Sequence, residues 1–162
     1  MRSIVLFAVL LLVGGVYLFG GRRLDKEQVL DFYRVQQAAQ LALDDQRMCD
    51  LLADGFEQHT QVRGGRLDIP GRMDKGDYCI ALAQQFGLQR ELAGRLRGMV
   101  NQQFWLDGVT LADDRRSAVM HMRTAQALPG LRMTARYDLH VERRRWRMQV
   151  TRSDAVVSVG GR

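Results

Sequence analysis

The stretch from Phe104 to Val159 constrains the fold most, because it reads as several long strands in succession with explicit turns between them. In its clearest strand, apolar and polar residues alternate, and the apolar ones are Met133, Ala135, Tyr137, Leu139 and Val141. This period of two is typical of a sheet that buries one face and exposes the other. Turn signals predict strands near 103–111, 116–127, 131–142 and 145–153, with 156–159 as a prolongation of the last. The sequence therefore predicts a four-stranded antiparallel meander.

The apolar face of the meander needs a cover, and the helical segments before it, 25–54 and 73–100, are the candidates. Asp25 caps a first helix with apolar residues at helical spacing, namely Val29, Phe32, Val35, Ala39 and Leu43. A second, short helix begins near Gln46 and stops at Gly55, and a short strand follows over 56–62. Asp74 caps a third helix in which Gly87 is a weak point. These elements predict an α+β domain with three helices packed on one antiparallel sheet.

The N-terminal segment predicts membrane attachment. Residues 3–21 carry no charge, and Ile4 to Phe19 is almost wholly apolar, which is at the short end of what spans a hydrocarbon core of about 30 Å. Bulky residues stand where a cleavage site would need small ones, which favours an uncleaved signal anchor over residues 1–23, followed by a domain over 24–162. We expect a single pass through a bacterial inner membrane by residues 4–21, with the domain in the periplasm. Because basic residues flank both ends, a cytoplasmic orientation and secretion after cleavage stay open as alternatives.

Cysteines, histidines and charge supply few functional signals. Cys49 and Cys79 fall in different predicted helices, and an oxidising compartment would permit a bridge, whereas two buried free thiols are the alternative. The spacing of the cysteines and of the three histidines matches no zinc or redox motif, so we expect neither metal nor cofactor.

The net charge of +6 favours anionic surroundings. The basic run 143–147 reads most simply as a hairpin turn that exposes Arg143 and Arg144, with Trp146 alternating inward beside Met148. A periplasmic domain argues against nucleic acid as the partner.

The order of elements resembles that of the nuclear transport factor 2-like superfamily, which includes the SnoaL-like proteins. The opening phrase VLDFYRVQQAAQLALDDQRMCDLLADGFEQH is similar to the first helix pair of that superfamily, and RYDLHVERRRWRMQV is similar to its last hairpin. The resemblance implies a cone, in which a strongly bent sheet wraps the helices and leaves a pocket at its open end. Members include isomerases and dehydratases with Asp, His or Tyr in the pocket, binders of small apolar ligands, and proteins that bind only proteins.

Three residues are candidates for catalysis in such a cone: His121, Asp31 and Tyr33. In the predicted second strand His121 lies opposite the methionine-rich face, which favours a position outside the cone. Asp31 flanks the apolar stripe of the first helix and is expected to be exposed. With Tyr33 it occupies a place where the resemblance puts polar pocket groups.

Two functions fit this sequence. The first is a membrane-anchored, non-enzymatic binding or assembly module, which dimerises or binds a protein partner through the polar sheet face of Arg136, Asp138 and His140, or takes a small apolar ligand in the cone. The alternative is a small-molecule enzyme of the isomerase, dehydratase or hydrolase kind, with a polar group in the cone. The absence of a convincing catalytic pair in the sequence favours binding over enzymatic activity.

Overall fold

A computed structural model describes residues 23–64, 71–95, 101–128, 131–144 and 146–161, together with Val9. Within these residues the chain forms three helices and six strands. The helices are α1 (Lys26–Leu41), α2 (Asp45–Asp50) and α3 (Lys75–Arg95). The strands are β1 (Leu52–Arg63), β2 (Arg72–Asp74), β3 (Asn101–Leu111), β4 (Ser117–Leu128), β5 (Leu131–Arg144) and β6 (Arg147–Gly161). The predicted α+β class is confirmed.

The sheet is curved and mixed, with the strand order β2-β1-β6-β5-β4-β3. Strands β3 to β6 form the predicted antiparallel meander. The prediction of a wholly antiparallel sheet is wrong, because β1 pairs in parallel with β6, from Leu52 opposite Val150 to Arg63 opposite Ser158.

Helix α1 begins with a capping box, in which Asp25 accepts a hydrogen bond from the Gln28 backbone N–H and Gln28 accepts one from the Asp25 backbone. Val29, Phe32 and Ala39 are buried as predicted, whereas Val35 is 36% exposed. Each residue of a helix is rotated by about 100° from the last, so Val35 lies roughly 120° around the axis from Val29. Gln36 lies only about 20° away and takes the inward position instead.

The predicted end of the second helix at Gly55 is also wrong. Helix α2 ends at Asp50 with Leu51 as its C-cap, and Gly55 lies inside β1. Leu52, Ala53 and Phe56 are buried, so the chain turns directly from the helix into a core strand. Helix α3 starts after Asp74, which accepts a hydrogen bond from the Asp77 N–H at 2.9 Å. It continues without a break through Gly87 to Arg95.

The core lies between the concave face of the sheet and the helices. Its main cluster contains Val29, Phe32, Phe56, Met120, Val141 and Val150. A second cluster of Ala39, Met48, Leu82 and Phe86 joins the three helices. Beside it a disulfide links Cys49 of α2 to Cys79 of α3, with Cα atoms 5.8 Å apart. That spacing lies within the range of about 4.4 to 6.8 Å that disulfides usually span.

The expected burial of Trp146 is wrong. Residues Arg144 and Arg147 are paired across the hairpin, so Trp146 lies between the two strands and outside their pairing. Trp146 therefore adopts a turn conformation, with a φ of 72°, and is 46% exposed. Its ring lies 5.3 Å below the guanidinium of Arg143. Met148 and Tyr137, predicted to be buried with it, are half-buried and pack against the main cluster.

The predicted membrane anchor, residues 4–21, lies outside the residues described above except for Val9, a helical and exposed residue. Among the helices of the described part, none has the length and apolarity to span a membrane.

Candidate functional site

A cavity of about 140 Å³ lies between the helices and the concave face of the sheet. Its size is close to the roughly 150 Å³ of an apolar cavity that accommodates one benzene ring. Helix α1 contributes Tyr33, Gln36, Gln37 and Gln40. The other lining residues are Met48, Gln58, Tyr78, Leu82, Gln85, Phe104, Met122, Thr124, Tyr137, Leu139 and Ser153. The site thus combines an apolar floor with a wall of amides and hydroxyls.

Fifteen of the described residues line this cavity, and none of them is Asp, Glu, His, Lys or Arg. Five are glutamines, which both donate and accept hydrogen bonds without a charge. An ionised ligand that moved from water into this cavity would find no side chain of opposite charge among these residues. Such a transfer is strongly unfavourable. The lining therefore selects for uncharged molecules.

The tyrosines of the cavity remain neutral under physiological conditions. Burial, with a smaller contribution from the neighbouring Tyr137, raises the pKa of Tyr78 to about 12. Burial also raises the pKa of Tyr137, although a hydrogen bond with Thr124 opposes the effect, and burial raises the pKa of Tyr33. Tyr78 lines the cavity, and its ring packs against Phe56 with centroids 5.2 Å apart. These phenols can hydrogen-bond a ligand, but their pKa values are far from that of a base at neutral pH.

One lining group lacks a hydrogen-bond partner within the described structure. The side-chain Oε1 of Gln36 is buried and accepts no hydrogen bond there. Gln36 also lines a smaller adjoining cavity of about 20 Å³, so its amide lies between two spaces at the base of the site. Gln58 differs, because its amide N–H donates to Thr60 Oγ1 at 3.0 Å. A buried acceptor without a donor is costly, and Gln36 would be satisfied by an N–H or O–H group in the cavity.

The structure separates the three candidate catalytic residues. Tyr33 lines the cavity, whereas Asp31 lies at the surface of α1 with its carboxylate 2.6 Å from Arg34. His121 lies on the convex face of the sheet, opposite its buried neighbour Met120. The cavity therefore holds one of the three, and that one is a neutral phenol.

On the convex face, His121 is part of a hydrogen-bonded row across three strands. Its Nε2 lies 3.1 Å from Thr110 Oγ1 of β3, and its Nδ1 lies 2.7 Å from Asp138 Oδ1 of β5. The order of hydroxyl, imidazole and carboxylate is that of a nucleophile, a base and an orienting acid. However, the three side chains are outside the cavity, and both Thr110 and Asp138 are exposed to water.

The rest of the convex face carries alternating charges. Arg123 donates two hydrogen bonds to Asp107, at 2.6 and 2.7 Å, and these hold the pKa of Asp107 below its usual value. Asp154 accepts from Arg152 at 2.8 Å and lies 3.2 Å from His140 Nε2. Burial favours the protonated form of Asp154, but Arg152 and His140 together lower its pKa. All three histidines of the chain lie on this face, each near a carboxylate.

Within the described ranges, no cluster of three or more His, Cys, Asp or Glu side chains is placed to hold a metal ion. The glutamines of the cavity were missed by reasoning from sequence. A detectable signal was present, because Gln36 and Gln40 are separated by one helical turn on the inward side of α1.

Comparison with known proteins identifies the fold of this chain but not its family. No protein-family model matches the sequence, and a search of curated proteins finds no match. A nuclear transport factor 2-like protein of unknown function from Pseudomonas putida is similar in structure, with a TM-score of 0.59, 12% identity, and coverage of 81% of this chain and 84% of that one. Another from Shewanella oneidensis has a TM-score of 0.52 and 9% identity, covering 80% of this chain and 97% of that one.

A third similar structure, from Rhodopseudomonas palustris, is called an isomerase. It has a TM-score of 0.50 and 15% identity, and covers 78% of this chain and 87% of that chain. At such identities, structural likeness carries information about the fold and not about activity. The chain adopts the nuclear transport factor 2-like fold.

Proposed function

We propose that this protein is a binding module whose cavity takes a small, uncharged ligand with one ring-sized apolar body and at least one N–H or O–H donor. The observation that carries the proposal is the buried Oε1 of Gln36, which has no hydrogen-bond partner among the described residues, in a cavity whose fifteen described lining residues include no ionic side chain. The apolar floor of Met48, Leu82, Phe104, Met122 and Leu139 suits the body of the ligand, and the amides suit its polar group.

The neutral lining argues against catalysis in the cavity. An isomerase, dehydratase or hydrolase needs an acid or base that changes its protonation state near the working pH. Among the described residues that line this cavity, the titratable groups are three tyrosines, and the pKa of each is raised by burial. Binding is therefore the function that the geometry of the cavity favours.

The test compares neutral and charged probes of equal size by ligand-observed NMR. Phenol and benzamide should bind, while benzoate and benzylammonium should bind at least tenfold more weakly, because the cavity offers them no counter-charge. Gln36→Leu should weaken the binding of benzamide roughly 5- to 150-fold, the equivalent of about 1 to 3 kcal/mol for one buried hydrogen bond. Gln84→Leu is the matched control, since Gln84 is exposed on α3 and does not line the cavity. Equal affinities for benzoate and benzamide would contradict the proposal.

A second measurement separates a ligand contact from a packing defect. Because Gln36→Leu replaces a buried acceptor without a partner by an apolar group, the free protein should become no less stable in urea while its affinity for benzamide falls. A loss of both stability and affinity would instead indicate that Gln36 is structural.

We also propose that residues 4–21 tether this module to the inner membrane with the domain in the periplasm. The uncharged run in the sequence and the Cys49–Cys79 bridge support this, since disulfides persist in oxidising compartments. A reporter at the C-terminus that is active only outside the cytoplasm should give a signal. A signal from a cytoplasmic reporter at the same position would reverse the orientation.

The convex sheet face is proposed as the surface through which two copies pair. It presents Arg136, Asp138 and His140 among carboxylates and guanidiniums that alternate in sign, which suits a self-complementary contact. Sedimentation should show that Arg136→Glu lowers self-association, while Arg34→Glu, the same change on exposed α1, leaves it unaltered. A chain that sediments as a monomer at high concentration would remove this contact.

Within the described part of the chain, the row of Thr110, His121 and Asp138 favours a second candidate function, an enzyme of the acyl-transfer kind on the convex face. It ranks second because its side chains are exposed to water and outside the cavity. A fluorophosphonate probe distinguishes the two functions. Labelling of Thr110 that disappears in His121→Ala would establish a reactive hydroxyl, and an unlabelled protein would reduce the row to a surface hydrogen-bond network.

A further inference from the structure

At the end of the domain nearest the N-terminal segment, three segments of the chain are joined to one another by hydrogen bonds. The backbone N–H of Leu24 donates to the carbonyl of Arg115 at 2.6 Å, and the N–H of Arg143 donates to the carbonyl of Arg116 at 3.1 Å. The guanidinium of Arg143 donates to the carbonyl of Arg23 at 2.9 Å and to Gln28 Oε1 at 2.7 Å. The start of the domain, the β3–β4 turn and the β5–β6 turn therefore form a single surface.

We call this the basal surface and define it by Arg23, Arg115, Arg116, Arg143, Arg144, Trp146 and Arg147. Each of these residues is exposed except Arg143, which is half-buried. The surface also has acidic neighbours: Asp25 and Asp114 accept hydrogen bonds from the backbone, and Glu142 pairs with Arg144 at 3.3 Å. Over the three segments 22–28, 112–116 and 142–147, nine basic and five acidic residues leave a net charge of +4, out of +6 for the whole chain.

The chain leaves the basal surface at a fixed point. Leu24 is 1% exposed and its backbone N–H is hydrogen-bonded to the β3–β4 turn, so the chain is attached to the domain at this residue. Phe19, the last residue of the apolar run, is only five residues earlier, and five extended residues span at most about 18 Å. If residues 4–21 are inserted in a bilayer, the basal surface cannot move farther than this from the hydrocarbon. The headgroup layer fills roughly 5 to 8 Å of that distance.

We infer that the basal surface lies against the anionic phospholipid headgroups of the membrane that holds the chain, with Trp146 at the interface. This rests on the proposed tether of residues 4–21. Arginines suit the position because their long stems reach apolar depth while the guanidinium stays with phosphate, and Trp is enriched at the same level. Electrostatic attraction is effective over about 8 Å at physiological salt, which matches the short link.

This placement also orients the cavity. Its α1 residues, from Tyr33 to Gln40, lie seven to fourteen residues beyond the start of α1 at Lys26. That corresponds to about 10 to 21 Å along the helix axis. If α1 points away from the bilayer, the ligand site lies beyond the headgroup layer and is accessible from the aqueous phase.

The test uses the two tryptophans of the chain as a matched pair. Trp105 lies on β3, six residues from the basal end of that strand at Leu111, or about 20 Å away. The full-length chain is reconstituted into phosphatidylcholine vesicles with and without phosphatidylglycerol, both containing lipids brominated near the headgroup. Trp105→Phe leaves Trp146 as the single reporter, and Trp146→Phe leaves Trp105. We expect Trp146 to be quenched at least twofold more than Trp105, and more strongly with phosphatidylglycerol.

Charge reversal tests the electrostatic part. The substitutions Arg115→Glu and Arg116→Glu are added together to the Trp105→Phe variant, which retains Trp146. They should reduce the quenching of Trp146 in vesicles that contain phosphatidylglycerol. The protein should still float with the vesicles, and its circular dichroism should be unchanged. Equal quenching of the two tryptophans, or no quenching of Trp146 in protein that does float, overturns the inference and leaves the tether intact. Failure to float overturns the tether and the inference together. The binding of benzamide is independent of either outcome.

Discussion

At the scale of single residues, Tyr78 links the cavity to stability. Burial raises its pKa to about 12 in the folded protein, against about 10 in an unfolded chain. Above pH 10 the unfolded chain loses this proton first, so it binds fewer protons than the folded chain and stability falls as the pH rises. The stabilisation is complete below pH 10 and is lost between about pH 10 and pH 12.

We expect urea denaturation to show a lower free energy of unfolding at pH 11 than at pH 9. The chain has only two lysines, and its cysteines are bridged, so few other groups titrate in this window. In Tyr78→Phe the decrease should be smaller, with Tyr33 and Tyr137 responsible for the remainder. An identical decrease in the variant would contradict the assignment to Tyr78.

Single residues also show which side-chain positions the sequence pattern predicts and which it does not. Alternation predicted that Met148 and Tyr137 face the core, but it could not fix the position of the turn. Strand β6 begins at Arg147, two residues later than predicted, so Trp146 lies in the turn. Likewise, a stripe of apolar residues predicts the buried side of α1 only where that side is wholly apolar. Gln36 and Gln40 face inward because they line a cavity, which an apolar pattern cannot represent.

At the scale of elements, replacing two glycines by alanine should change the stability of the protein in opposite directions. Gly87 lies inside α3, and an added Cβ would meet no atom within 4 Å. Gly87→Ala should therefore raise the free energy of unfolding by about 0.5 to 1 kcal/mol, the usual cost of glycine within a helix.

Gly64 is the counterpart at the end of β1. Its φ is +74°, and an added Cβ would lie 2.9 Å from the carbonyl oxygen of Val159. Gly64→Ala should destabilise the protein by about 1 kcal/mol or more, because alanine is strained in that conformation. Thermal or urea denaturation of the two variants should give shifts of opposite sign. Destabilisation by both would indicate that α3 needs flexibility at Gly87.

The elements differ in how well the sequence predicts them. Strands β3 and β4 were predicted with both ends within two residues, because their periods are regular and turns delimit them. Strand β1 was predicted four residues short at its start, because residues 52–55 follow α2 directly without a turn signal. Its parallel partner β6 is distant in sequence, and only tertiary packing selects that pairing.

At the scale of the whole molecule, the domain should fold without residues 1–21. The described core is complete from Leu24 onward, and its clusters draw on Leu24 and later residues only. A chain beginning at Arg22 should unfold cooperatively in urea. Within it Leu24→Ala should cost about 2 to 5 kcal/mol because Leu24 is buried, whereas Leu41→Ala, at 68% exposed, should cost little. Equal effects of the two substitutions would mean that Leu24 does not close the core.

The central position of β6 has a consequence for how the chain is made. Strand β1 is complete by Arg63, yet its parallel partner arrives about a hundred residues after Leu52, at Val150. Until β6 leaves the ribosome, β1 and β5 each present a long unpaired edge, a template for association with other chains. A stalled product that ends before Arg147 would have strands on both sides of the position of β6 but no β6 to join them. Incomplete chains should therefore aggregate and be degraded by proteases more readily than the finished chain.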